Sequence, residues 1–148
     1  MRVIVLGGGA SGMMAAWRAA CLGHRVTLVE ANGRLGVKLR ISGGGKCNVT
    51  HAGPVKEVLA AFRKGQARFL RPAFHAFGSG ELLELLRREG VETYVRENGR
   101  VFPVDRPGSA AEVVKVFETL LRRAGVGVRF QARVARLVGA EPRLEALE

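Results

Sequence analysis

The residues best suited to chemistry lie near the start: the run Gly7-Gly8-Gly9-Ala10-Ser11-Gly12, and Glu30 further on. Gly7 permits a sharp turn, Gly9 lets backbone approach a pyrophosphate, and Gly12 lets a helix pack close to a sheet. An acid about twenty residues beyond such a turn is placed to accept hydrogen bonds from a ribose. A carboxylate there also repels a 2′-phosphate, which argues against NADP at this position. The expected chemistry is the holding of a dinucleotide, and the turn alone does not choose between FAD and NAD.

Such residues converge only if the elements around them are strand, turn, helix and strand. Val3-Ile4-Val5-Leu6 is continuously apolar, so the first strand is expected to be buried on both faces. A helix over roughly Ser11 to Leu22 presents its free N–H groups and positive dipole end to the phosphates. Ala15, Ala16, Ala19 and Ala20 keep that helix slim, Met13, Met14 and Trp17 give it bulk, and Cys21 is expected as a small core residue at its end. Gly23-His24 turns the chain into a second strand, Val26 to Val29, closed by Glu30. The fold class expected is α/β, with a Rossmann-type βαβ unit.

A second glycine cluster, Ser42-Gly43-Gly44-Gly45-Lys46-Cys47-Asn48, stands in a connection from Ala31 to Thr50. Successive glycines form neither helix nor strand well, but their amides can face a ligand, with Ser42, Asn48 and Thr50 as neutral donors. A plain surface loop explains the same residues. Cys47 has no CxxC partner, so loop shaping or packing is favoured over a redox role.

From Pro54 the spacing of Val55, Val58, Leu59 and Phe62 is helical. Phe69, Phe74 and Phe77 follow among Arg63, Lys64, Arg68 and Arg71. Aromatics interleaved with arginine can stack single-stranded nucleic acid. The reading preferred here is phenylalanines in the core and arginines on a solvated face. A helix from Ser79 ends at Gly90. Thr93–Glu97 and Arg100–Phe102 flank Asn98-Gly99, which predicts a hairpin with a type I′ turn. Pro103 and Pro107 bound the next loop, and Ser109-Ala110-Ala111-Glu112 reads as a capping box opening a helix stopped by Gly125. Val126, Val128, Phe130, Ala132 and Val134 alternate with polar or small residues, so a strand is expected there. Leu137-Val138, a turn at Gly139–Pro142, and Leu144–Leu147 continue it as the start of an antiparallel meander.

Length and composition suit one domain over residues 1–148, with 47% hydrophobic and 25% charged residues. No apolar stretch reaches membrane-spanning length and no basic leader opens the chain, so the expected compartment is the cytoplasm, without a membrane. His24, His51 and His75 are too scattered for a metal site. The formal charge of +11 comes mostly from arginine spread along the chain. A nucleic-acid surface would account for it, but the dispersion makes that partner the less favoured one.

The chain resembles the BaiN/YhiN-like family of FAD-dependent oxidoreductases. Three blocks carry the resemblance: Gly7–Gly12 with Glu30, Ser42–Thr50, and Gly99-Arg100-Val101-Phe102-Pro103. It implies FAD as cofactor, with Gly7, Gly9, Ala10, Ser11 and Gly12 at the pyrophosphate and Glu30 at the adenosine ribose. It also implies that the loop of Ser42, Gly43, Gly44, Gly45, Cys47 and Asn48 serves the ribityl and isoalloxazine end. Lys38 stands where the family keeps a basic residue, and Val134 where flavoproteins of this type contact adenine through the backbone. Val37, Lys46 and His51 depart from residues commoner in the family. Members are considerably longer than this chain, which is similar to their N-terminal portion only: the substrate domain and C-terminal return are not among its 148 residues. The strand expected beside Val3–Leu6 is then lacking, so a second copy or a separate remainder is expected to cover that edge. The function implied is flavin-mediated hydride transfer from NAD(P)H to an unknown acceptor. An NAD-binding dehydrogenase fragment and a basic nucleic-acid-associated module are the alternatives.

Overall fold

Along the chain of the computed structural model run β1 (Arg2–Leu6), α1 (Ala10–Cys21), β2 (Arg25–Val29), α2 (Val37–Ile41), a 3₁₀ turn (Ser42–Gly45) and β3 (Thr50–His51). There follow α3 (Val55–Ala60), α4 (Lys64–Ala76), α5 (Ser79–Arg88), β4 (Thr93–Val95) and β5 (Arg100–Pro103). The last elements are α6 (Ser109–Arg123), β6 (Gly127–Arg129), β7 (Leu137–Val138) and β8 (Ala146–Leu147). The structure describes residues 1–104, 109–138 and 146–147. Two compact units divide the chain: Met1–Val37 with Phe117–Glu148, and Lys38–Val116.

The first unit holds a parallel sheet in the order β1-β2-β6, so the α/β, Rossmann-type expectation is met. Val3 pairs with Val26 and Val5 with Leu28, which aligns these side chains on one face. That face meets α1, whose Met13 and Ala16 are fully buried, as is Leu28. The other face is different: Ile4 is 54% and Leu6 47% exposed. Among the described residues β1 is thus an edge strand, half-buried on one face and exposed on the other. Its unbroken apolar run hid an alternation that only the packing reveals.

Two further expectations change in this unit. Cys21 is exposed, because the last turn of α1 rotates it away from the sheet. The strand expected to run from Val126 to Val134 stops at Arg129 and pairs parallel with β2 rather than opening the meander. Gln131, at φ 54°, breaks the extended backbone. The amides of Gln131 and Ala132 donate to the carbonyls of Asn32 and Glu30. The meander is represented by the antiparallel pair β7–β8, with Leu137 opposite Leu147. The turn expected at Gly139–Pro142 and Pro107 lie outside the described residues.

The second unit centres on an antiparallel sheet in the order β3-β5-β4. The hairpin forms where expected but with another turn. Val95 pairs with Val101, and the Gly99 amide donates to the Arg96 carbonyl at 2.8 Å. Gly99 has φ 75° while Asn98 does not share a positive φ, so the loop is a three-residue one closed by glycine, not type I′. Helices α3, α4 and α5 lie between β3 and β4 in the chain. α5 starts where the Gly78 amide donates to Glu81 at 2.8 Å. α4 overturns the core assignment of the phenylalanines at one position: Phe69 is 84% exposed, while Phe74 and Phe77 are half-buried.

Candidate dinucleotide-binding site

Gly7 leaves β1 at φ 92°, a conformation that side chains disfavour, and its amide donates to the Val29 carbonyl at 2.8 Å. Gly9 caps α1 without a side-chain acceptor, so the first-turn amides keep no side-chain partner there, and no acid stands in that turn. A methyl group at Gly12 would collide with the Gly7 carbonyl oxygen, whereas one at Gly9 would meet nothing within 4 Å. The chain therefore closes on Gly12 and opens at Gly9. An anion facing the start of α1 meets amides and the helix dipole with no steric obstacle at Gly9. The residues present fit a pyrophosphate.

Glu30 lies at the end of β2, 7% exposed. Its Oε2 accepts from the Gly8 amide at 2.6 Å, and its Oε1 from the Asn32 amide at 2.7 Å and the Asn32 side chain at 2.5 Å. The Asn32 backbone bond chiefly holds the Glu30 carboxyl below its usual value; burial opposes this and Gly8 assists. A carboxylate has about four acceptor positions, and Gly8 and Asn32 fill three of them. Gly8 and Asn32 were missed from the sequence. Gly8 is crowded by side chains where Gly12 is crowded by backbone: a Cβ there would strike Leu35 and come within 3.0 Å of Glu30 Oε2. The middle glycine of an unbroken run, and an Asn two residues past the acid, were the available signals. The Gly36 amide donates to the Gly8 carbonyl at 2.8 Å and ties the segment after β2 to the turn.

Val134 is in this unit, half-buried, and lines a cleft of about 330 Å³ with Ile4, Thr27, Val29 and Arg129. Lys38 is in the second unit, exposed on α2. There the second glycine cluster is brought onto the third block. Gly43, Gly44 and Gly45 have φ of 58°, 68° and 84°, and Cys47 follows at 57°. A Cβ on Gly43 would approach Phe102 Cε1 to 2.9 Å, and the Val49 amide donates to the Val101 carbonyl at 2.9 Å. Of the side chains expected as ligand donors, all three are engaged by the chain itself. Ser42 Oγ donates to the Leu39 carbonyl at 2.8 Å, and Thr50 Oγ1 and Ser79 Oγ share a bond of 2.8 Å. Asn48, its amide oriented by its partners, donates to the carbonyls of Val101 at 3.2 Å and Thr50 at 3.0 Å. Cys47 is fully buried, and burial pushes its thiol up, with a Ser42 hydrogen bond opposing. A protonated thiol in a left-handed turn is a poor nucleophile.

Residues 1–145 match the HI0933-like protein Rossmann domain. The chain belongs to that family. This is a FAD-binding oxidoreductase family related to the BaiN/YhiN-like proteins. Among curated proteins, it is 27% identical over 131 residues to the ribosomal RNA dihydrouridine synthase of Escherichia coli, covering 88% of this chain and 31% of that one. The Haemophilus influenzae protein of the same name is 24% identical over 134 residues, covering 90% and 32%. The chain thus spans about a third of the length of these relatives. Among solved structures, a 3-ketosteroid-Δ4-(5α)-dehydrogenase from Rhodococcus jostii aligns with a TM-score of 0.68 at 16% identity, over 97% of this chain and 40% of that one. Thermovibrio ammonificans THI4 aligns with a TM-score of 0.63 at 18% identity, over 99% and 46%. The likeness to these two structures is one of fold. No helix among the described residues is long and apolar enough to cross a membrane.

Proposed function

We propose that residues 1–148 form the N-terminal part of one FAD-binding domain in a flavoprotein oxidoreductase that passes hydride from NAD(P)H to an acceptor. The observation that carries this is the opening at Gly9, at the start of α1, in the same unit as the clamped carboxylate of Glu30. In this reading Gly7, Gly9, Ala10, Ser11 and Gly12 hold the pyrophosphate and Glu30 the adenosine ribose, with Val134 at the adenine. The family resemblance implies that the Ser42–Asn48 loop serves the ribityl and isoalloxazine end, with Lys38 as the basic residue before it; the loop would act through backbone, because Ser42 and Asn48 bond within the chain. Cys47 shapes that loop. When bound, the isoalloxazine ring supplies the redox chemistry, and the protein supplies binding and electrostatics. The two free cysteines accord with a cytoplasmic location.

The acceptor we infer is a uridine base within RNA, which the names of the two curated relatives favour. Reducing its C5–C6 double bond adds two electrons and two protons, equivalents that NAD(P)H and a proton would supply by way of the bound flavin.

FAD binding is tested by titrating purified, cofactor-stripped protein and following its melting. Ligand at about 100 times its dissociation constant stabilises by about 2.7 kcal/mol. A shift with FAD and not with NAD is expected; a response to NAD alone would turn the assignment to a dehydrogenase fragment.

A further inference from the structure

Helix α4 carries a feature that flavin binding does not use. Lys64, Arg68, Arg71 and His75 are spaced by four, three and four residues, which stacks them in one stripe about 16 Å long. All four are exposed, no acid stands in α4, and no ion pair or side-chain hydrogen bond engages them among the described residues. One residue beyond Arg68, Phe69 is 84% exposed. Side chains of a helix lean toward its N-terminus, so the Phe69 ring leans over position 65, one turn back. That position is Gly65, where even a Cβ would meet nothing within 4 Å. The ring face is therefore unshielded, and with Phe62 and Leu70 it borders a cleft of about 440 Å³.

We propose that α4 binds single-stranded RNA, the basic stripe following phosphates while a base stacks on Phe69, which stands about 100° round the helix from Arg68. Guanidinium forks suit phosphate, and an open aromatic face takes any base. The proposal rests on the RNA acceptor inferred above for its choice of partner, and not on FAD binding. A bilayer surface fits less well, because an interfacial helix presents several large apolar residues along one side. On the side of α4 that carries Phe69 the other residues are Gly65, Pro72 and Ala76, and its cleft neighbour Leu70 is half-buried.

The test is fluorescence anisotropy of the full chain with a labelled single-stranded oligouridylate at about 50 and about 200 mM salt. Arg68→Glu/Arg71→Glu is expected to weaken binding by about tenfold or more and to flatten the salt dependence by about two phosphate contacts. Phe69→Ala is expected to weaken it by about 5- to 100-fold at unchanged salt slope. Because these side chains are exposed, the far-UV circular dichroism of the variants should match the parent. The control Lys115→Glu/Arg122→Glu makes the same charge change on α6 and should alter affinity by less than about threefold. The proposal is overturned if the control loses as much as the α4 pair, or if Phe69→Ala binds like the parent. Tighter binding to phosphatidylserine vesicles than to RNA also overturns it. RNA binding that ignores the α4 variants removes this surface and leaves the acceptor reading standing.

Discussion

A single methyl group distinguishes what the chain packs against from what it leaves open. At Gly12 the methyl would strike the Gly7 carbonyl oxygen, so Gly12→Ala should destabilise by about 1–3 kcal/mol and weaken FAD binding as well. At Gly9 the backbone, at φ −79° and ψ −175°, is open to any residue and the methyl meets nothing. Gly9→Ala should therefore leave stability within about 0.5 kcal/mol of the parent while FAD affinity drops about tenfold or more. Urea melts of the apoprotein beside FAD titrations separate the two effects; equal losses of stability at both positions would refute the assignment of Gly9 to a ligand. Glu30 makes the companion case in pH. Its carboxyl is held below the ordinary value in the folded state, chiefly by the Asn32 amide, so its charge contributes stability at pH above the unfolded value near 4.5. That contribution disappears as pH falls through the lower folded value. Glu30→Gln should be less stable at pH 7, by about 1–3 kcal/mol, and should lose less on acidification. Denaturant midpoints between about pH 7 and pH 3 give the comparison.

At the scale of elements, the β4–β5 hairpin shows how a turn is fixed by a neighbour. Gly99 has φ 75°, and a Cβ there would collide with the His51 ring, whose Nε2 lies 3.0 Å from the Asn98 carbonyl oxygen. Gly99→Ala should destabilise by about 1–3 kcal/mol. In His51→Ala the collision is relieved and the backbone strain remains, so the double variant should fall short of the summed losses by about 0.5 kcal/mol or more. Strict additivity in thermal or urea melts would remove the steric part of this account. The turn type was the part of the hairpin that local sequence misjudged. Asn98-Gly99 signals a two-residue turn, but pairing Val95 with Val101 places that dipeptide inside a longer loop. The βαβ unit was legible because its glycines and acid act through backbone geometry set within thirty residues. The clamp of Glu30 by Gly8 and Asn32 was not, because no periodicity marks a side chain that bonds its own turn. Likewise Ser42, Asn48 and Thr50 looked like ligand donors until the pairing of β3 with β5 and the place of Ser79 were known.

The whole molecule presents an imbalance at β1. Its one sheet neighbour among the described residues is β2, and its outer face shows Ile4 and Leu6 about half exposed, with Phe130 45% exposed in the same unit. Here composition misled, since four consecutive apolar residues read as a strand covered on both sides. An edge strand with free amides and carbonyls and an apolar face is a template for a second strand or a second surface. Nothing on β1 itself resists this: its one charge, Arg2, stands at the end rather than within the apolar stretch. The expected consequence is association of the chain through this edge, rising with concentration. A lysine pointing from the exposed face blunts such edges, so Ile4→Lys should shift the protein toward monomer. It should leave α1 packing intact, because Val3 and Val5 occupy the other face. Sedimentation velocity over a hundredfold range of concentration reads the outcome, with Lys115→Glu as a remote control. A parent chain that stays monomeric and soluble throughout, or an Ile4→Lys variant that associates as strongly as the parent, would show that β1 is not the contact. Burying two such side chains across an interface supplies about 1.5–3 kcal/mol each, before the entropy of association is subtracted. That is too little for a tight dimer, so the expected association is weak and reversible, and a segment that adds a hydrogen-bonded strand to β1 should outcompete it.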